Sequence, residues 1–307
     1  MRDRCRGRAG VAERRLVKLL CFGLGYTALA LARTLRAKGW QIAGTTRDPA
    51  KHAQLVKDGI EVHRFERDRP LEQPEQMLAG TTHVVSSIAP DEQGDPVLDR
   101  HARDLLRCRS IVWAGYLGTT GVYGDRDGEW VSEADPVAPT MARTRRRVRA
   151  EGHWLASGLP AHLFRLAGIY GPGPGRSALA AVRAGTARRI VKPGQMFGRI
   201  HVDDIVEVLR ASMARPNPGA IYNVVDDEPA PPQDVVTFAC ELLGVAPPPA
   251  VPFDRAELSP MARSFYSDNR RIDNARIKEE LGVKLRYPTY RDGLRAILTE
   301  ASAVGAR

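Results

Sequence analysis

Along most of the chain, short apolar runs alternate with longer stretches in which apolar residues recur at helical spacing. The first run, residues 16–22, is apolar except for Lys18 and stops at Gly23-Leu24-Gly25. Ala28, Leu31 and Leu35 then fall on one stripe, and Gly39 supplies the stop. The pattern predicts a buried strand, a glycine turn and a helix over 27–38. Further apolar runs predict strands at 40–46, 60–65, 82–88, 111–117 and 161–166, with helices over 96–107 and 140–156. Such alternation implies an α/β fold whose parallel sheet is covered on both faces and joined by right-handed crossovers.

Beyond residue 166 the pattern loosens. Residues 167–175 carry four glycines and two prolines, which break regular structure and mark the passage to a second lobe. A hairpin is predicted over 191–200, turning at Pro193-Gly194. A helix at 202–214 and a strand at 221–225 are expected to return to the core, and helices near 233–243, 273–281 and 291–298 to close the fold. The expected organisation is a basic tail at 1–15, a nucleotide-binding domain at 16–170, and a smaller lobe at 171–307 that sends about 200–225 back to the core.

The 307 residues are 43% hydrophobic and 27% charged, an ordinary globular composition. No apolar run approaches the roughly 20 residues that cross a bilayer, so no membrane partner is expected. The basic start carries six arginines against Asp3 and Glu13 in its first fifteen residues and lacks the apolar centre of a secretory signal. It reads as a disordered tail, an overextended start or an arginine-rich targeting segment. Cys5, Cys21, Cys108 and Cys240 are too scattered for a metal site, none is expected, and a reducing cytoplasm suits them. The net charge of +10 owes +4 to the first fifteen residues, and the rest suits an anionic cofactor or substrate. Without aromatic residues interleaved in a basic surface, it does not point to a nucleic-acid partner.

The glycine turn carries the first chemistry. Gly23 permits the tight turn, and Gly25 lets backbone N–H groups approach a pyrophosphate. Tyr26 and Thr27 open the helix, whose positive end favours an anion, and Ala28 is small enough for close helix–strand packing. A plain glycine turn before a packed helix has the same local look. At the end of the second strand, where an acid commonly binds the adenosine ribose, stands Thr45-Thr46-Arg47, with no carboxylate before Asp48. Arg47 can pair with a 2′-phosphate, which favours NADP, with NAD as the alternative. Ser86 and Ser87, at the end of the fourth strand, leave room for the cofactor across the strand ends.

Four motifs follow one another: Gly23-x-Gly25-x-x-Ala28, Thr119-x-x-Val122-Tyr123-Gly124, Arg165-x-x-x-Ile169-Tyr170-Gly171-Pro172-Gly173 and Arg199-Ile200-His201-Val202-Asp203-Asp204. In this order they resemble the extended short-chain dehydrogenase/reductases, and more narrowly their atypical, epimerase/dehydratase-like branch, over residues 16–298. The resemblance implies a Rossmann-type doubly wound sheet with a smaller, discontinuous substrate lobe, and dimerisation through helices of the first lobe. It also implies a Tyr and a Lys four residues apart on a helix, for proton transfer and for holding the nicotinamide ribose. A Ser or Thr after the fifth strand would bind the substrate oxygen, and Thr119 matches it. Aligned on Glu151, however, Arg143 takes the Tyr position and Arg147 the Lys position.

A guanidinium with pKa above 12 cannot cycle a proton near pH 7, although it can clamp an anion. Arg147 remains a candidate for the cofactor ribose or a phosphate. Tyr123, Tyr170 and His201 are the candidate replacement acids, with packing roles for the tyrosines and helix capping for His201 as the plainer readings. Arg176 can meet substrate or phosphate or simply lie at the surface, while Arg145, Arg146 and Arg149 read as a solvated helix face. The expectation is an NADP-dependent oxidoreductase with a small, anionic substrate. A non-catalytic dinucleotide sensor or scaffold is the alternative, and a nucleotide-sugar epimerase or dehydratase the third.

Overall fold

The structure, a computed structural model, describes residues 17–305, and the basic segment 1–15 lies outside the described residues. Seven parallel strands form the central sheet: β1 (Lys18–Phe22), β2 (Gln41–Thr46), β3 (Glu61–Arg64), β4 (Thr81–Ser86), β5 (Trp113–Thr119), β6 (Ala161–Leu166) and β7 (Ile221–Val224). Their spatial order is β7-β6-β5-β4-β1-β2-β3. The chain therefore leaves β1 towards one edge and resumes on its other side with β4, which opens a crevice at the carboxyl ends of β1 and β4.

The apolar run of β1 is buried on both faces because helices cover both. Leu19 and Cys21 join one core with α1 (Tyr26–Arg36) and α5 (Val202–Ala214). Leu20 and Phe22 join the other, with α3 (Pro96–Arg107) and α4 (Ala142–Ala156). That is the two-residue period of a strand read in the packing. A further helix, α2 (Pro49–Lys57), follows β2; Asp48 caps it and Pro49 begins it. Residues 202–224 lie with the sheet, where α5 covers α1 and β7 extends the edge beyond β6.

The remaining residues build the second lobe around Tyr170, Leu179, Val235 and Leu294, drawing on α6 (Pro232–Leu243) and α7 (Tyr290–Gly305). The hairpin predicted over 191–200 does not form. Arg189–Val191 pairs in parallel with Ala250–Pro252, and Arg199–His201 pairs in parallel with Gly168–Tyr170. The stretch between bonds elsewhere: Gln195 Nε2 donates to the Asp268 carbonyl at 2.8 Å, and the Met196 amide to Asn269 Oδ1 at 2.9 Å. The helix expected over 273–281 shortens to Ala275–Glu279, and a further short helix, Pro260–Phe265, lies beside the cleft. Among the described residues no helix is long and apolar enough to cross a membrane.

Candidate functional site

The glycine turn is held from two sides. Gly23 has φ +84°, and its amide donates to Thr45 Oγ1 at 2.8 Å. Ser87 Oγ donates to the Gly23 carbonyl at 2.5 Å. A Cβ on Gly23 would stand 2.9 Å from Ser87 Oγ, so glycine is required by the protein itself. Gly25 is different: a Cβ there would meet only Ser87 Oγ, at an ordinary 3.7 Å. What glycine keeps open at position 25 is the space outside the protein.

Behind that space α1 begins without a side-chain cap and without an acid in its first turn. Its first internal bond runs from the Leu29 amide to the Gly25 carbonyl. The amides of Tyr26, Thr27 and Ala28 therefore have no acceptor among the described residues. A glycine cradle before bare amides fits a pyrophosphate. The side chains of Thr27 and Ala28 are buried, so these residues meet a ligand through backbone alone. Tyr26 donates to the Pro172 carbonyl at 2.8 Å and carries the Arg176 guanidinium 4.5 Å over its ring, tying the turn to the second lobe.

Arg47 is exposed just past β2. The one nearby carboxylate, Asp48, accepts from the amides of Ala50 (2.9 Å) and Lys51 (3.2 Å) and is committed to capping α2. Burial draws the Lys51 ammonium below its usual range, Asp48 opposes this, and Arg176 and Arg33 add to it. The rim beside the turn is thus cationic. Of the two serines, Ser87 is half-buried at the turn, whereas Ser86 faces inward and is fully buried, so its expected cofactor contact is corrected.

A cleft of about 740 Å³ opens between the ends of β5 and β6 and the second lobe. Thr119, Arg143 and Arg147 all line it. Thr119 Oγ1 accepts from the Gly121 amide at 3.1 Å. Arg147 donates to Tyr116 Oη and to the Leu117 carbonyl, both at 3.0 Å. Arg143 donates to Ser264 Oγ at 2.7 Å and lies 5.1 Å over the Phe265 ring.

Tyr123 is not with them, which corrects its candidacy. Its ring is fully buried, its hydroxyl donates to Asn223 Oδ1 at 2.8 Å and accepts from Arg165 Nη1 at 2.8 Å. Tyr170 is likewise buried, against α7, and burial pushes its phenol far above the usual range. His201 caps α5 by accepting the Asp203 amide at 3.2 Å on Nδ1, and burial pushes its pKa down to about 4. Both take structural places.

The cleft adds groups that no local pattern marked. Arg188, Arg199 and Arg270 bring the arginines lining it to five, with Asp268 its one acid and Tyr266 its one phenol. Asp268 accepts from Thr140 Oγ1 at 2.9 Å and pairs with Arg270 at 3.2 Å. Arg199 stands in a motif that the sequence displays, but nothing local says that it faces the cleft. Behind Arg199 lies Asp226, buried, with neither carboxylate oxygen partnered among the described residues. Burial pushes its pKa up to about 8. The native state then keeps a proton that the unfolded chain releases near pH 4, so stability falls between about pH 4 and 8. Asp226→Asn is expected to remove that fall, gaining on the order of 1 kcal/mol per pH unit across the window, as read from melting curves against pH.

No family model matches the chain. A functionally unknown conserved protein from Silicibacter pomeroyi DSS is 53% identical, with 92% of this chain and 99% of that one covered and a TM-score of 0.84. A 3-diazoavenalumate denitrifying reductase from a Streptomyces species is 26% identical over 314 residues, covering 90% of this chain and 98% of the relative. A putative NAD-dependent epimerase/dehydratase from Methylobacillus flagellatus is 24% identical, covering 94% and 98%, with a TM-score of 0.71. The chain belongs to the same family as the Silicibacter protein, and its fold is that of the NAD-dependent epimerase/dehydratase-like short-chain dehydrogenase/reductases.

Proposed function

We propose that the protein is an NAD(P)-dependent reductase of a small anionic substrate, with NADP preferred. The observation that carries the reading is the row of three unpartnered amides, Tyr26 to Ala28, behind an open Gly25. They would hold the pyrophosphate, Ser87 would line the same turn, and Arg47 would take the 2′-phosphate. When bound, the nicotinamide would supply hydride, and the balancing proton would come from water, since neither Arg143 nor Arg147 can give one near pH 7. Arg147, fixed by Tyr116 and Leu117, brings a permanent charge where the related enzymes have a lysine. Thr119 borders the substrate space. Support for reduction, rather than sugar epimerisation through a retained NAD, comes from the lack of an acid before Asp48 at the end of β2 and from the Streptomyces relative, which is named a reductase.

Titration with NADPH and NADH, followed by nicotinamide fluorescence, tests the reading. NADPH is expected to bind more tightly, and Arg47→Ala to weaken it about 10- to 100-fold with NADH unchanged. Tighter NADH binding overturns the preference, and binding of neither overturns the reading. A dinucleotide sensor is the second reading, favoured by one observation: neither Arg143 nor Arg147 can pass a proton near pH 7. Cofactor binding without turnover of any small anion supports it.

A further inference from the structure

Arg143, Arg147, Arg188 and Arg199 line the cleft with no carboxylate in ion-pair contact among the described residues; only Arg270 has one. Three of the four have another explanation. Arg143 is tethered to Ser264 and Phe265, Arg147 occupies the position assigned to the cofactor, and Arg188 is exposed at the rim. Arg199 has none.

It sits on the floor of the cleft. Thr119 on β5 pairs with Leu166 on β6, and two residues on, Gly168 pairs with Arg199, so these backbones run side by side along the sheet's carboxyl edge. Nη1 of Arg199 donates to the carbonyls of Phe197 (2.9 Å) and Ala230 (3.0 Å), which fixes the guanidinium and leaves its Nε and Nη2 atoms without a described partner. Burial also lowers its pKa, as expected of a cation removed from water with no hydrogen-bonded counter-charge. Asp226, the acid nearest in charge, makes no hydrogen bond to it. Arg199 borders both this cleft and a smaller cavity of about 190 Å³ beside Tyr170 and Tyr290, and a fixed, desolvated guanidinium in the cleft wall can receive an anion.

The walls decide what the anion is attached to. Ile190, Met196, Phe197, Leu258, Ala262 and Phe265 present apolar surface. A sugar ring would instead bring a row of hydroxyls that need acceptors, and the one carboxylate, Asp268, is already taken by Thr140 and Arg270. We infer that the cleft binds an amphipathic monocarboxylate, its apolar body against these walls and its carboxylate on the open edge of Arg199. This rests on the reductase reading in taking the cleft as the substrate's place.

Calorimetry on the full chain with cinnamate, octanoate, cinnamyl alcohol and UDP-glucose tests it. At least one of the two carboxylates is expected to bind, cinnamate at least about tenfold more tightly than cinnamyl alcohol if cinnamate is the one bound, and UDP-glucose not to compete. Arg199→Gln is expected to weaken the bound carboxylate at least about tenfold, Arg199→Lys less, and Arg188→Gln within about threefold. Thermal melts establish that each variant folds, and the ligand selectivity of the unmodified protein stands as evidence without any of them. UDP-glucose binding above both carboxylates, cinnamate and its alcohol both binding with equal affinity, or an Arg199→Gln variant with unchanged affinity for the bound carboxylate overturns the inference. NADPH titration on the same preparation separates the two readings. Cofactor bound with both carboxylates silent overturns the monocarboxylate and spares the reductase, whereas failure of both nicotinamide cofactors overturns the reductase itself.

Discussion

Replacing Glu151 by alanine is expected to cost about 3–5 kcal/mol of stability, seen as a drop in Tm on the order of 10 °C. Glu151 on α4 and Arg165 on β6 face each other with side chains 5% and 6% exposed, at 2.8 Å. Arg165 Nε adds contacts of 3.2 and 3.3 Å, and Arg165 Nη1 continues to Tyr123, which continues to Asn223 on β7. The chain of bonds thus joins one helix, two strands and the turn after β5. Removing the carboxylate strands a buried guanidinium with a phenol as its one strong partner. Removing both charges, as Glu151→Ala with Arg165→Met, is expected to restore much of the loss, because the burial penalty of the pair goes with it. Urea unfolding of the two variants and the Arg165→Met single variant completes the cycle. A loss below about 1 kcal/mol for Glu151→Ala would mean that water reaches the pair.

Gly25→Val is expected to abolish measurable NADPH binding while leaving Tm within about 2 °C. Gly25 has φ −71° and ψ −170°, a region valine adopts readily, and its Cβ direction is open. Replacing the N-cap glycine by valine costs about 1 kcal/mol at most, and the stiffer unfolded chain offsets part of it. The branched side chain nevertheless stands in front of the three amides assigned to the pyrophosphate. Gly23 cannot serve in this test. At φ +84° and with 2.9 Å to Ser87 Oγ, any side chain there strains the turn as well. Undiminished NADPH affinity in Gly25→Val would remove the turn from the cofactor site.

The sheet was legible because each of its strands is a local statement. Leu19 to Phe22 can be apolar on both faces only inside a covered parallel sheet, and Gly23 can follow only as a turn. The second lobe was not, because its short strands pair across long stretches of chain. Arg189–Val191 meets Ala250–Pro252, and no feature of residues 191–200 announces that partner. The site divides in the same way. Gly23, Gly25, Thr119 and Arg143 stand at the ends of regular elements, with Arg147 one turn further along α4, and the structure brings the last three to one cleft. Tyr123 follows Thr119 by four residues, yet the tight turn between them sends its ring inward to Arg165. Tyr266, Asp268 and Arg270 enter the cleft from a segment whose position depends on contacts with Gln195 and Met196. Asp48 shows the opposite case: Asp-Pro at a helix start is a local signal for the cap that takes its carboxylate.

The return of residues 202–224 to the sheet has a consequence for synthesis. The apolar stripe of α1 is complete once residue 36 has left the ribosome, but α5, which covers it, ends at residue 214. At ordinary translation rates the side of α1 that packs on α5 waits roughly ten to thirty-five seconds for its cover. A nascent chain stalled before residue 202 can lay down β1 to β6 and still lack the layer that seals the nucleotide half. Arrested nascent chains should therefore gain protease resistance in one late step, after residue 224 has emerged, rather than when β6 is complete.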